Sequence, residues 1–321
     1  MANYTGIQGQ NILIVDTDPA NPTEGQIWYN STSAVLKGYA NVVTNSWASG
    51  GNLNTAGYQG GAAGTQTAGL FFGRGFPAST ATEKYDGTSW TTVNSLNTAR
   101  YQLAGACSQT SALAFGGGSP GNASETWNGT SWANTPSLNT GRIALAGCGV
   151  SNTSALAFGG QAALTATELY NGTSWTSNPT GLNTGRNGLA GAGIQTAALA
   201  FGGSSTPGGP GVVSATESWN GTSWSNVNPL NTSRYTLGGA GTQTAALGFG
   251  GSQAPEAGIS NTELWNGTSW TTSPNSMSTA RRGLAGAGSQ TAALGIGAGS
   301  PGNATEEWTG TAVAVRTITT S

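Results

Sequence analysis

Two ionisable residue types recur in step along this 321-residue chain. Arginine stands at Arg100, Arg142, Arg186, Arg234 and Arg281, and glutamate at Glu83, Glu125, Glu168, Glu217, Glu263 and Glu306. Opposite charges in such register either line a site or close on one another inside the fold. Sites that do chemistry are asymmetric, and these charges are equal from copy to copy, so a structural ion-pair role is expected. Histidine is absent, which removes Ser-His-Asp and Cys-His catalysis and most zinc sites. No glycine-rich phosphate loop with its lysine is present. Cys107 and Cys148 fall at nearly matching places in successive copies and read as small buried thiols rather than a bridge. Asn-Gly-Thr, starting at Asn128, Asn171, Asn220 and Asn266, is formally a glycosylation acceptor, but Asp86 replaces Asn in one copy. That exchange keeps a turn and abolishes the acceptor. No enzyme, metal site or cofactor is expected.

The elements that carry these residues repeat as well. LNTAR at 96–100 returns as LNTGR at 138–142 and 182–186, LNTSR at 230–234 and MSTAR at 277–281. A glycine-rich piece recurs at 103–117, 145–160, 189–203, 237–251 and 284–298, more loosely at 60–74. An aromatic bracket follows: YDGTSW at 85–90, YNGTSW at 170–175, WNGTSW at 127–132, 219–224 and 265–270, and a worn WTGTAV at 308–313. Periods of 40 to 50 residues with four short strand candidates each signal a propeller. LAGAG reads as the first strand, QTAALAFGG as the second, ATExW as the third and SWT as the fourth. Asn-Gly between the last two predicts a type I′ hairpin with positive φ at both central residues. Pairing would put both aromatics of a bracket on one face. Trp90, Trp132, Trp175, Trp224 and Trp270 are therefore expected to pack against neighbouring blades.

Bulk composition agrees with a folded, turn-rich β protein. Charged residues make up 7%, against roughly 25% in an average domain. Eleven Trp and eight Tyr at regular spacing argue against a disordered linker. A net charge of −2 with scattered cations gives no basic stripe for nucleic acid and no polybasic membrane patch. No apolar run reaches membrane-spanning length, and MANYTGIQGQ has neither the charged nor the apolar region of a signal peptide.

The repeat closely resembles Kelch repeats over residues 50–313. That family carries a glycine pair after the second strand, then an aromatic, then a Trp, here Gly116-Gly117, Trp127 and Trp132. The resemblance implies an all-β, Kelch-like β-propeller and leaves activity open. Seven blades are the preferred count, with residues 1–49 as a divergent blade and 50–321 as the other six. The alternative is six blades plus an N-terminal hairpin. GQIWYN, SAVLKGYA and NVVTNSW supply three strands of the extra blade and NILIV a fourth, while the tail TAVAVRTITTS is the last outer strand or reaches round to close the ring.

Variation between copies concentrates in the loop after the second strand. It is short at 118–122, 161–165 and 299–303 but longer at 204–214 and 252–260. Long loops on a rigid scaffold are where binding usually sits, which makes Pro207, Pro210, Val212, Pro255 and Glu256 candidate binding residues; idle insertions would look the same.

PTEGQIWYNSTSAVLKGY at 22–39 resembles a hairpin motif of bacteriophage structural proteins, and the whole chain resembles Kelch-like proteins of marine bacteriophages. This implies a non-enzymatic virion structural protein, as tail fibre, appendage or head decoration. It would be made in the host cytoplasm without a signal peptide. Its implied partners are other virion proteins and a host-surface glycan or protein. No heptad stalk is present, which favours a compact module. The alternative is a soluble propeller lectin that stacks sugars on aromatics in interblade grooves.

Overall fold

Each repeat folds as four short strands for reasons its composition supplies. In the second repeat the first strand, Ala104–Cys107, is built of small residues, so several copies can meet near one axis. The second, Ala112–Phe115, is apolar and buried at every position, as a strand packed on both faces must be. The third and fourth, Ser124–Trp127 and Trp132–Thr135, keep their aromatics inside. All four run antiparallel, and Trp127 stands directly opposite Trp132. The computed structural model describes residues 12–23, 25–42, 45–75, 77–118, 121–206, 211–253, 257–298, 302–310 and 312–318.

The chain forms two compact units, one of residues 46–309 and one of residues 1–45 with 310–321. The larger unit is an all-β propeller. Its inner strands are Gly61–Thr65, Ala104–Cys107, Ala146–Ser151, Ala190–Ile194, Gly238–Gly241 and Ala285–Gly288. Each packs on the next, and the last packs on the first. The circuit closes with six. Blade six takes its outer strand, Ser46–Ser49, from the start of the unit, pairing Trp47 with Trp308.

Seven four-stranded sheets are therefore present among the described residues, but the ring holds six of them. The seventh belongs to the other unit. There Leu13–Val15 runs parallel to Ile27–Asn30, which pairs with Val35–Val42, which pairs with Ala312–Thr317. Of the two blade counts the sequence allows, six with a separate N-terminal hairpin sheet describes the ring. The expected boundary at residue 49 moves too. Ser46–Ser49 leaves the N-terminal segment to be the outer strand of blade six, and the tail strand pairs with residues 37–42, neither forming the last outer strand nor closing the ring.

Blades are joined by the bracket tryptophans. Trp90, Trp132, Trp175, Trp224 and Trp270 are only 5–6% exposed. Each indole N–H donates across the blade interface to a hydroxyl on the preceding third strand, as Trp132 does to Thr82 at 3.0 Å and Trp175 to Ser124 at 3.2 Å. Trp90 reaches Thr305 and Trp47 reaches Thr262, so the series runs round the ring. The ring of Trp132 also meets Phe72 of the preceding blade at 4.9 Å and Trp127 of its own at 5.3 Å. Such aromatic pairs are worth about 0.5–1.5 kcal/mol each beyond the area they bury.

The turn inside the bracket differs from expectation. Gly129 has φ +94°, but no Asn of the brackets lies in the left-handed region, so this is no type I′ turn. Asn128 instead accepts from the backbone N–H of Thr130 and Ser131 through its side-chain oxygen. Asp86 does the same with Thr88 and Ser89. A side-chain acceptor closes the four-residue loop, which is why Asp replaces Asn freely.

Candidate functional site

The periodic charges are consumed inside the blades. Arg100 donates to Glu125 at 2.9 Å, and Arg142, Arg186, Arg234 and Arg281 pair likewise with Glu168, Glu217, Glu263 and Glu306. These side chains are at most 3% exposed. Arg100 Nη1 also donates to the carbonyls of Gly116 and Ala123, clamping the loop after the second strand. Glu125 accepts further bonds from the N–H groups of Asn97 and Thr98. Burial presses the guanidinium of Arg100 below the ordinary arginine range, and the paired Glu125 pulls it back. Paired and buried, this set braces loops, although the Nε of Arg100, Arg142, Arg234 and Arg281 is left without a hydrogen-bond partner.

Blade one reaches the same arrangement from another strand. Where the other copies carry arginine it has Gly57, and Arg74 at the end of the second strand donates to Glu83 at 3.0 Å instead. A Cβ on Gly57 would stand 2.8 Å from Arg74 Cδ, so the two sites fill one space. A second exchange accompanies it. Gly60 replaces the leucine of other copies and Phe71 replaces a small residue, with the Phe71 ring 2.5 Å from where a Gly60 Cβ would lie. Sequence reading missed Arg74, although LNTAG at 53–57 beside FFGRG at 71–75 carries the signal.

The thiols are not placed for chemistry. Cys107 and Cys148 are free; burial pushes Cys107 up to about 12 and raises Cys148 as well.

The predicted loop residues are reached in part. Pro207, Pro210, Pro255 and Glu256 lie outside the described residues. Val212 is half-buried and bridges Ser204, while Ser252–Gln253 and Ala257–Gly258 pair as a small hairpin. Both loops spring from residues that border the propeller axis: Ser204 pairs with Asn187 and Ser252 with Tyr235.

That axis holds the feature sequence reading overlooked. Just before each inner strand sits a residue in the left-handed region: Gln59, Gln102, Ala144, Gly188, Thr236 and Gly283, with φ between 52° and 68°. Each donates its N–H to the carbonyl of the equivalent residue one blade back, at 2.6–2.8 Å, and Gln59 closes the circle on Gly283 at 2.7 Å. Six head-to-tail backbone bonds ring the mouth. Below them the channel wall is glycine and alanine backbone, Gly105, Gly147, Gly191, Gly239 and Gly286 among it. The depression at the mouth measures about 420 Å³ out to open solvent. The residues that precede those of the circle are Tyr58, Tyr101, Ile143, Asn187, Tyr235 and Arg282, one per blade. Tyr58 and Tyr235 lie 3.5 and 3.6 Å from where a Cβ on Gly283 and Gly188 would be, so those glycines give the next blade's tyrosine its room.

This ring-closed, small-walled architecture is a β-propeller. Among solved structures the chain is similar to the one titled "Structure of YjhT", a β-propeller, with TM-score 0.63 and 15% identity over 83% of this chain and 99% of that one. Likeness at that identity shows the fold alone. No family model and no curated protein matches the sequence.

In the smaller unit, the conspicuous residues of the hairpin motif converge on one carboxylate. Trp28 Nε1, Asn30 Nδ2 and Lys37 Nζ all donate to Asp18, at 3.1, 2.7 and 2.7 Å respectively. The Lys37 bond, then those of Asn30 and Trp28, pull the carboxyl down to about 2. The motif thus fastens the segment preceding the hairpin onto its sheet.

Proposed function

We propose that this chain is a non-enzymatic attachment component of a bacteriophage particle, a compact propeller that docks on other virion proteins and meets the host surface. The observation that carries the reading is the distribution of variety. Charges, indoles and bracket turns repeat from blade to blade and are spent on the scaffold. The two longer loops and the changing residues around the axial mouth share the face that bears the loops after the second strands. A rigid ring with one individual face is built for recognition. The particle assignment is supported by the phage-like hairpin, whose Trp28, Asn30 and Lys37 are tied to Asp18. The bracket tryptophans, 5–6% exposed, leave little indole surface in the interblade grooves for stacking on sugars, which favours the particle reading over the soluble lectin. Mass spectrometry and cryo-electron microscopy of purified particles test the proposal. The chain is expected at fixed, symmetry-related positions with its loop face docked or outward; particles of the phage encoding it that lack the chain refute it.

A further inference from the structure

In an Asn-Gly pair the backbone can displace the amide of its own side chain, and the chain holds five such pairs: Asn128-Gly129, Asn171-Gly172, Asn187-Gly188, Asn220-Gly221 and Asn266-Gly267. The glycine nitrogen attacks Cγ of the asparagine, since glycine has no side chain to block the approach. The N–Cγ bond forms, the Cγ–Nδ2 bond breaks, and the glycine amide proton passes through solvent to the departing ammonia. Water then opens the five-membered succinimide. It leaves aspartate when it adds at Cγ and isoaspartate when it adds at the main-chain carbonyl. We propose that the four bracket asparagines, Asn128, Asn171, Asn220 and Asn266, are modification sites that lose their amide in the folded protein, while Asn187 keeps its own. The inference stands apart from the particle assignment.

Nucleophile, carbonyl and leaving group differ between the two settings. In the brackets the N–H of Gly129, Gly172, Gly221 and Gly267 donates to no group among the described residues. Gly188 instead commits its N–H to Ala144 O at 2.8 Å, as a member of the axial circle, and that bond must break before the nitrogen can attack. The Oδ1 of Asn128 accepts from the N–H groups of Thr130 and Ser131 and from the Thr130 hydroxyl, at 2.8–3.0 Å. Asn171, Asn220 and Asn266 repeat all three bonds. Donors fixed on a carbonyl oxygen stabilise the negative charge that gathers there as a nucleophile adds to its carbon. The bracket asparagines are exposed, with Nδ2 left to solvent. Asn187 is half-buried, and its Nδ2 donates to the carbonyls of Ser204 and Thr206 at 3.2 and 3.4 Å, which holds the leaving nitrogen in place. The product is already part of the fold. Asp86 occupies the same step of blade one and accepts from the N–H groups of Thr88 and Ser89, both at 2.8 Å. Each bracket turn lies beside the turn joining the first two strands, Gly129 facing Thr110, on the face opposite the longer loops. Every conversion adds one negative charge to that face of a chain whose formal charge is −2.

The full chain is aged in warm, mildly alkaline buffer, once folded and once in denaturant. Samples are digested in acid, which halts the reaction, and mass spectrometry follows the amide-to-acid mass gain in each Asn-Gly peptide. In denaturant all five peptides are expected to convert at similar rates. In the folded protein the four bracket peptides convert, and the Asn187 peptide lags by on the order of tenfold or more, since a committed backbone bond must open first. Thr130→Val removes one donor from Asn128 Oδ1 and keeps the side chain's shape; it is expected to slow conversion at Asn128 alone, with melting unchanged. Bracket peptides that convert only in denaturant show that the three bonds lock the side chain, and overturn the inference. It is equally overturned by an Asn187 peptide that keeps pace in the folded protein, or by one that lags as far in denaturant. Thr130→Val that melts as wild type and converts Asn128 at the wild-type rate removes the role given to the donors and overturns it too.

Discussion

Moving one arginine between strands of blade one isolates what a buried pair contributes. Arg74→Gly leaves Glu83, 1% exposed, with backbone donors from Asn54 and Thr55 but no cation. Stranding one partner of a buried pair costs about 3–5 kcal/mol. In a unit of this size that lowers the melting temperature on the order of 10 °C. Gly57→Arg alone crowds a space already filled, since its Cβ would stand 2.8 Å from Arg74 Cδ. Overpacking of that kind costs about 1–3 kcal/mol, and a second guanidinium would share one carboxylate. The backbone of Gly57 lies outside the left-handed region, and with Arg74 gone a side chain there needs only a small shift of Phe71, whose Cε1 stands 3.2 Å from the Cβ position. The double variant restores the placement of Arg100 and its equivalents. It is expected to be more stable than Arg74→Gly by about 2 kcal/mol, a coupling within the range for contacting residues. Urea unfolding followed by tryptophan fluorescence measures all four corners of the cycle. A double variant that falls by the sum of the single losses refutes the claim that the two strands fill one site.

Three further outcomes follow from the geometry. Asn128→Asp is expected to change stability by less than about 0.5 kcal/mol, because Asp86 already closes the same loop, whereas Asn128→Ala loses the acceptor of two backbone bonds and about 1 kcal/mol; equal losses in denaturant titrations contradict the side-chain-closed turn. For Asp18 the folded pKa of about 2 lies below the ordinary carboxylate value, so its stabilising bonds are intact above pH 4 and fade as pH falls towards 2. The indole N–H resonance of Trp28 reports this, and a midpoint near 4 contradicts the network. Cys107, pushed up to about 12 by burial, and Cys148, also raised, stay neutral at pH 8. Neither is expected to react with a thiol reagent until the protein is denatured, when both do; rapid native labelling contradicts the burial.

Much of the propeller was legible because the repeat states its own register. Trp127 opposite Trp132 fixes the pairing of third and fourth strands, and the Arg and Glu series lie in step because they bond. The ring closure was harder to read, although its signal was present. WTGTAV at 308–313 has its first Trp and lacks its second, while Trp47 follows no aromatic-Asn-Gly turn. They are two halves of one bracket, joined as Trp308 opposite Trp47. Pairing so distant in sequence leaves no local trace except that each half is incomplete. The turn type was misread for a different reason: Asn-Gly predicts positive φ at both positions, but a four-residue loop lets the Asn oxygen reach the backbone instead.

Departures from the repeat are of two physical kinds. At Gly57 and Arg74, and at Gly60 and Phe71, a loss on one strand is matched by a gain on its neighbour, so the core keeps its volume and its charge pair. Such compensation is what close packing demands. At the step before the circle, Tyr58 and Tyr235 take the room that Gly283 and Gly188 leave, while Tyr101, Ile143, Asn187 and Arg282 differ in size and charge. Ring, aliphatic chain, amide and guanidinium succeed one another at positions whose backbone bonds remain the same round the circle. The circle closes alike over Gly188 and Gly283 and over Gln59 and Gln102. Side-chain variety at this step is thus carried on an unvarying backbone circle, as loop variety is carried on an unvarying scaffold.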